Sequence, residues 1–430
     1  MSEIEKLIQE LCPDGVPYKK LGQVCEKVMN IKWKNTNPED YFTYVDLSSV
    51  DRNTHLISTE TKISKDNAPS RAQQIIKTND ILFGTTRPTL MRYCYVPKEL
   101  NNQICSTGYC VIRVDNRFVL PKWVYHYISS KSFYNYVEAN QQGAGYPSIS
   151  NDMIFQFEIP VPPLEVQQRI VEILDNFTSL TAELEAELEA RKRQYEYYRN
   201  LLLTFNPVAN GAVTGGDQQI GDGFTPPIKS LNIKYLSLGE MGTFIRGGGL
   251  QKSDFTTDGF PCIHYGQIHT HYKTYAYNSI SYTSNKLAAK LKHAKYGDLI
   301  IATTSEDVDG CCKAVAWLGD NEVAISGDSY IFRHNQNPKY ISYLFQTEMF
   351  LKYKRMAATG TKVTRVSGDS MKKFVFPIPP LDEQERIVVI LDSFETLVND
   401  LTAGLPAEIE ARRKQYEYYR NKLLTFKKIA

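Results

Sequence analysis

The feature that most constrains this chain is a phrase spelled twice: RQYEYYRNLLLTF at Arg193–Phe205 and KQYEYYRNKLLTF at Lys414–Phe426, with eleven of thirteen positions identical. The match extends outward. With a shift of 217 residues, Leu21-Gly22 falls on Leu238-Gly239, Gly143 on Gly360, and FEIPVPPLEVQQRIVEILDNF from Phe157 on FVFPIPPLDEQERIVVILDSF from Phe374. With a slip of one more, DILFGTT from Asp80 meets DLIIATT from Asp298. Internal repetition at this scale means two copies of one structural unit, and any fold must accommodate both. The copies agree closely after Pro160 and Pro377, whereas residues 23–79 and 240–297 share little.

The shared part reads as helix. Leu174, Phe177, Thr181, Leu184, Leu188, Arg191, Tyr195, Tyr198, Leu202 and Phe205 step by three and four, a heptad seam. The second copy repeats the seam from Ile387 to Phe426 with four extra residues that include Gly404 and Pro406, which predicts a local unwinding or kink. Two such helices most simply pack on each other in antiparallel fashion. PVPPL and PIPPL fix the entry into each helix.

The remainder reads as mixed α/β. Short β-branched and aromatic runs at residues 41–45, 81–83, 109–114, 299–302 and 329–332 predict strands, and residues 122–138 and 339–356 predict helices. The resulting division is a first globular lobe at 1–156, a helix at 157–206, a Gly-, Asn- and Pro-rich linker at 207–233, a second lobe at 234–373 and a C-terminal helix at 374–430. Basic residues outnumber acidic ones in both lobes and the reverse holds in both helical segments, although the net charge is only +2. A nucleic-acid binder carries its positive charge on the binding lobes.

Several classes are excluded or disfavoured. No apolar run is long enough to span a membrane and the start has no signal-peptide layout, so a cytoplasmic location is expected. The eight Cys form no CxxC pair and read as reduced and buried. The chain has no GxxxxGK[ST] loop and no Asn-Pro-Pro-Tyr type of methyltransferase tetrapeptide. Asp51, Glu60 and Lys62 could mimic a nuclease triad, but a polar hairpin explains them better; His264, His269 and His271 read as solvent-facing strand residues rather than a metal site.

The combination PxPPLxxQxRIVxILD followed by RKxQYEYYRxxLLxF resembles the shared regions of DNA specificity subunits of type I restriction-modification systems, and the resemblance spans essentially the whole chain. It implies two similar α/β target recognition domains separated by two long antiparallel helices, each domain reading half of a split site on double-stranded DNA. It also implies that the chain is non-catalytic and binds no cofactor or metal of its own. Two modification subunits using S-adenosylmethionine, and two restriction subunits using ATP and Mg²⁺, would supply the chemistry. A chain with its own nuclease or methyltransferase site, and a coiled-coil scaffold binding protein, are the alternatives.

For DNA contact the polar, basic, Gly-bearing loops are the candidates. In the first lobe these are Thr85, Thr86, Arg87 and Arg92 with Gly143, Gly145 and Tyr146; in the second, Arg246, Lys252, Thr303, Thr304, Lys362, Thr364 and Arg365. Tyr195, Tyr198, Tyr416 and Tyr419 belong to the seam, whereas Tyr197, Arg199, Tyr418 and Arg420 are candidates for docking partner subunits.

Overall fold

The computed structural model describes residues 3–205, 233–360, 363–400 and 402–429; the expected linker and Lys362 lie outside the described residues, apart from Ile233. The chain forms two compact units, and neither is a simple N- or C-terminal half. One comprises Met1–Glu185 with Glu408–Ala430, the other Ala186–Ala407. Each unit combines one lobe with helical segments from both copies.

In the first unit, Phe42–Val45, Lys62–Ile63, Ala72–Ile75 and Ile104–Ser106 form a four-stranded sheet, and Ile81–Gly84 lies between Tyr93–Tyr95 and Tyr109–Ile112 in a three-stranded one. In the second unit, Leu299–Ala302 lies near the middle of a five-stranded sheet with Ser329–His334 and Lys313–Trp317 on its flanks, and a second five-stranded sheet contains Phe260–Ile263 and Val323–Ile325. Every expected strand is present. The expected helices at 122–138 and 339–356 are each broken in two, into Pro121–Ile128 and Lys131–Asn140, and into Pro338–Leu344 and Glu348–Ala357. Ser130 and Thr347 cause the break: their side chains cap the second helix by accepting from the backbone N–H of Phe133 and Phe350.

The repeated residues make the same bonds in both units. Asp80 receives a two-pronged bond from Arg113, at 2.9 and 2.7 Å, across the strands they flank, and Asp298 receives one from Arg333 at 3.0 and 2.7 Å. The Gln of the PPLxxQ pattern has a clear role. Gln167 and Gln384 are fully buried; each accepts from a lobe backbone N–H, of Leu120 or Asn337, at 2.9 Å and donates to the carbonyl of Pro162 or Pro379. The side chain thus ties the proline turn to the lobe.

The first long helix, α1 (Leu164–Thr204), is continuous. Its counterpart breaks completely into α2 (Leu381–Asn399) and α3 (Leu405–Leu423), where the extra residues with Gly404 and Pro406 were expected to kink it. In the first unit Phe177 of α1 stacks on Tyr419 of α3 at 5.4 Å, and Glu185 pairs with Arg413 at 2.6 Å. Residue numbers fall along one helix as they rise along the other, so the contact is antiparallel. In the second unit Phe394 of α2 stacks on Tyr198 and Tyr195 of α1 at 5.6 and 6.2 Å. The repeated phrase of each copy therefore packs on the helix start belonging to the other copy. None of the described helices is long and apolar enough to cross a membrane.

Candidate nucleic-acid interface

The structure brings together loops that lie far apart in sequence. In the first unit Thr86 bridges Ser148, the Arg87 N–H donates to Pro147 O at 2.7 Å, and the Ile149 N–H donates to Thr85 O at 2.9 Å. In the second unit Thr304–Ser305 pairs with Thr364–Arg365, and the Val366 N–H donates to Thr303 O. The second strand of each pair turns back through a matching bridge, Gln142 with Ser148 and Thr359 with Arg365. Gly143 and Gly360 sit in these turns at φ +100° and +104°; a Cβ on Gly360 would lie 2.2 Å from Val363 O, so glycine is required there. Each unit thus presents one small two-stranded ribbon of the same construction.

The two ribbons carry different side chains. In the first, Arg87 stands exposed in the left-handed region at φ 48°, its guanidinium 4.6 Å from the Tyr146 ring centroid, and Tyr146 is 65% exposed. This is a planar cation stacked on an aromatic face, with its fork of N–H donors open to solvent. In the second, the exposed arginine is Arg365, on the opposite strand, paired with Thr304. Gly143 and Gly145 shape the first turn and are exposed.

Not every candidate residue is presented. Thr303, Thr304 and Thr364 are buried, with the Thr303 hydroxyl donating to Asp328 O at 3.2 Å; they hold the ribbon rather than face outward. Thr85 does the same, donating to Gly108 O at 2.9 Å, and Thr86 is half-buried. Arg92 is half-buried, its Nε enclosed without a hydrogen-bond partner. Arg246 and Lys252 are exposed; Arg246 donates to Gly327 O at 3.2 Å beside Gly247–Gly249, on a loop adjoining Asp328, whose carbonyl anchors Thr303.

The docking candidates divide. Tyr197 and Tyr418 are 52% and 63% exposed. Arg199 and Arg420 turn inward instead: each lies 5.1 Å over the ring of Tyr195 or Tyr416 and donates to the lobe, to Gln346 or to Ser129. Beside Arg420, His126 is fully buried between the Tyr416 hydroxyl at 2.9 Å and Asp175 at 3.0 Å; burial holds its pKa below the ordinary value, with the Asp175 bond opposing. Sequence reasoning missed His126, although its neighbours Trp123 and Tyr127 mark that helix face as buried.

Asp51 caps the backbone N–H groups of Asn53 and Thr54 at 2.8 and 2.7 Å, and Lys62 donates to Thr43 Oγ1; among the described residues no group of three or more His, Cys, Asp and Glu side chains that could hold a metal occurs. The histidines are not on a strand: His264 caps the short helix Tyr265–Thr270, which carries His269, and His271 comes directly after it.

The family model described as type I restriction modification DNA specificity domain matches this chain twice, over residues 13–191 and 231–411. The chain belongs to this family. Among curated relatives of this specificity family it is 31% identical over 335 residues to the EcoR124I/EcoR124II specificity subunit of Escherichia coli, covering 74% of each chain. It is also 31% identical over 327 residues to a putative type I restriction enzyme specificity subunit of Haemophilus influenzae, covering 73% of each. Its fold matches a solved chain from work on complex assembly and conformational transition of the type I R-M system, with TM-score 0.61, 24% identity and 96% and 98% coverage. The S subunit from M. genitalium has TM-score 0.51 at 13% identity, covering 95% of this chain and 96% of that one. The two family matches each end beyond the start of a long helix, so the family unit includes lobe and helix together, as the bonding of Gln167 and Gln384 does.

Proposed function

We propose that this specificity-family chain is the non-catalytic reader of a type I restriction-modification complex, each lobe recognising one half of a bipartite site on double-stranded DNA through its two-stranded ribbon. The observation that carries this reading is the common ribbon backbone with a differently placed exposed arginine, Arg87 in one unit and Arg365 in the other. A constant frame with variable side chains suits two readers of different half-sites: arginine reads guanine through its O6 and N7 acceptors, and backbone and hydroxyl groups fix register on phosphates.

The exposed rings Tyr197 and Tyr418, at equivalent places in the repeated phrase, support docking of two copies of a modification subunit. Such a subunit would bring S-adenosylmethionine for adenine methylation, and two restriction subunits would bring ATP and Mg²⁺ for translocation and cleavage, all in the cytoplasm where the DNA is. The test is methylation mapping in cells that carry this chain with its modification subunit. A split methylated motif is expected; its absence in an assembled complex, or methylation by the purified chain alone, overturns the reading.

A further inference from the structure

In the second unit Cys312 has two sulfur neighbours in the core next to the ribbon residue Thr303. Cys311 and Cys312 are adjacent in sequence, both are fully buried free thiols, and their Sγ atoms are 3.9 Å apart. The thioether of Met371, also fully buried, lies 3.9 Å from Cys312 Sγ. Neighbouring residues of an extended strand point their side chains to opposite faces, so two consecutive thiols do not ordinarily share a pocket. Here they do because Cys312 adopts the left-handed conformation, φ 59°, just before the strand Lys313–Trp317, with its N–H donating to Ala302 O at 2.8 Å. A non-glycine residue held in this region costs energy and points to a local requirement. The pocket also has a counter-charge: Lys354 is buried, donates to Asp309 O at 2.7 Å, and lies within electrostatic reach of both thiols.

We propose that Cys311, Cys312 and Met371 form a site for a soft monovalent d¹⁰ cation, Cu(I). Metal–sulfur bonds of about 2.3 Å place the sulfurs of a trigonal site roughly 4 Å apart, and Cys312 Sγ stands at that spacing from both Cys311 Sγ and the Met371 thioether. Soft thiolate and thioether ligands suit Cu(I), zinc and iron–sulfur clusters, and the common clusters are held by four cysteines, more than this pocket supplies. Zinc is disfavoured because it takes four ligands, and no set of three or more His, Cys, Asp and Glu side chains suited to a metal occurs among the described residues. Binding is balanced: two thiols release two protons to solvent, two thiolates and the thioether bond one Cu(I), and the single negative charge left faces the Lys354 ammonium. One consequence reaches the ribbon. In the free site the Cys311 S–H donates to Thr303 O at 3.2 Å, and ligation removes that donor from the residue that leads into Thr304.

The test is an anaerobic titration of the reduced full-length chain with Cu(I) against a competing chelator, read by sulfur-to-copper charge transfer and X-ray absorption. Wild type should retain one Cu(I) with three sulfur neighbours that the double variant Cys311→Ser/Cys312→Ser lacks. Met371→Leu, which keeps the buried volume, should weaken that copper at least about tenfold, the loss that even outer-shell changes produce at metal sites, and lower the coordination to two. Thermal unfolding of each variant confirms a folded chain. Copper stoichiometry unchanged in the folded double variant, with the six other cysteines accounting for all binding, overturns the site. Unchanged affinity and coordination in Met371→Leu overturns the thioether ligand. DNA is not needed for any arm, so this outcome is separate from that of the DNA-reading proposal.

Discussion

Arg87 and Arg365 are the residues on which sequence reading would act. Each is exposed on a ribbon whose backbone is already hydrogen-bonded, so removing the side chain should leave the ribbon in place. Arg87→Ala is expected to relax or weaken one half-site by about 1–3 kcal/mol, and Arg365→Ala the other, if each contact is bidentate to a base. Binding to sites altered in one half at a time measures this; loss uniform across sequences, with a shallower salt slope, assigns the arginine to phosphate instead. His126 makes a different prediction. In the neutral form its Nε2–H can donate to Asp175 while Nδ1 accepts from Tyr416, a fully satisfied buried ring. With the folded pKa below 6.5, the unfolded state binds more protons as pH falls, so this stabilisation is present above about pH 6.5 and is lost on acidification through the folded pKa. Denaturant unfolding at descending pH should show the loss, and His126→Gln should flatten it; an equal pH slope in the variant refutes the assignment. At this scale the sequence exposed the arginines but not the burial of Thr303, Thr304 and Thr364, because a hydroxyl in a strand–turn–strand stretch serves a ribbon bond and a ligand equally well.

Among the elements, the long helices were legible because three-four spacing over many turns has no other simple reading, and the strands because β-branched runs bounded by turns are short and dense. The breaks after Ile128 and Leu344 were not, since Ser and Thr at a helix interior and at a cap look alike until the backbone turn is known. The break between α2 and α3 was announced by Gly404 and Pro406. Gly404 is buried, and a Cβ there would stand 2.4 Å from Thr396 O and 2.7 Å from Leu397 O, both carbonyls at the end of α2. Backbone cannot move aside as a flexible side chain can. Gly404→Ala should therefore destabilise the chain by roughly 1–3 kcal/mol, the range for forced overpacking, while the same change at exposed Gly145, whose Cβ direction is open, should cost far less. Chemical denaturation of both variants decides it; equal stability would mean that the α2–α3 junction rearranges freely.

Across the whole molecule the copy number of two and the antiparallel pairing of the long helices were legible, and the exchange by which each phrase also reaches the other copy's lobe was not. The contacts that define it, such as His126 with Tyr416, join residues 290 apart, which no local period encodes. The exchange answers why the phrase is spelled twice: each copy supplies the Tyr and Arg that the other copy's lobe and helix start receive, Tyr198 and Arg199 in one unit, Tyr419 and Arg420 in the other. Helix α1 runs unbroken from Leu164 to Thr204 while the two compact units divide at Glu185 and Ala186. Its stretch Thr181–Leu188 is therefore where added length should act between the two readers of the proposed site. One more Glu-Ala-Glu-Leu after Leu188 adds about 6 Å of rise and rotates the downstream part of α1 by roughly 40°, which nearly preserves the buried stripe that carries Tyr195 and Tyr198. A two-residue insertion adds about half as much rise but turns that stripe by roughly 200°, away from Phe394. The four-residue insertion, whose rise is comparable to one or two base pairs of B-DNA at about 3.4 Å each, should lengthen the unread spacer of the methylated motif by about one base pair with both half-motifs unchanged; the two-residue insertion should abolish methylation. Motif mapping in genomic DNA reads both variants, and an unchanged spacer with full activity in the four-residue variant would rule out α1 as the spacing element.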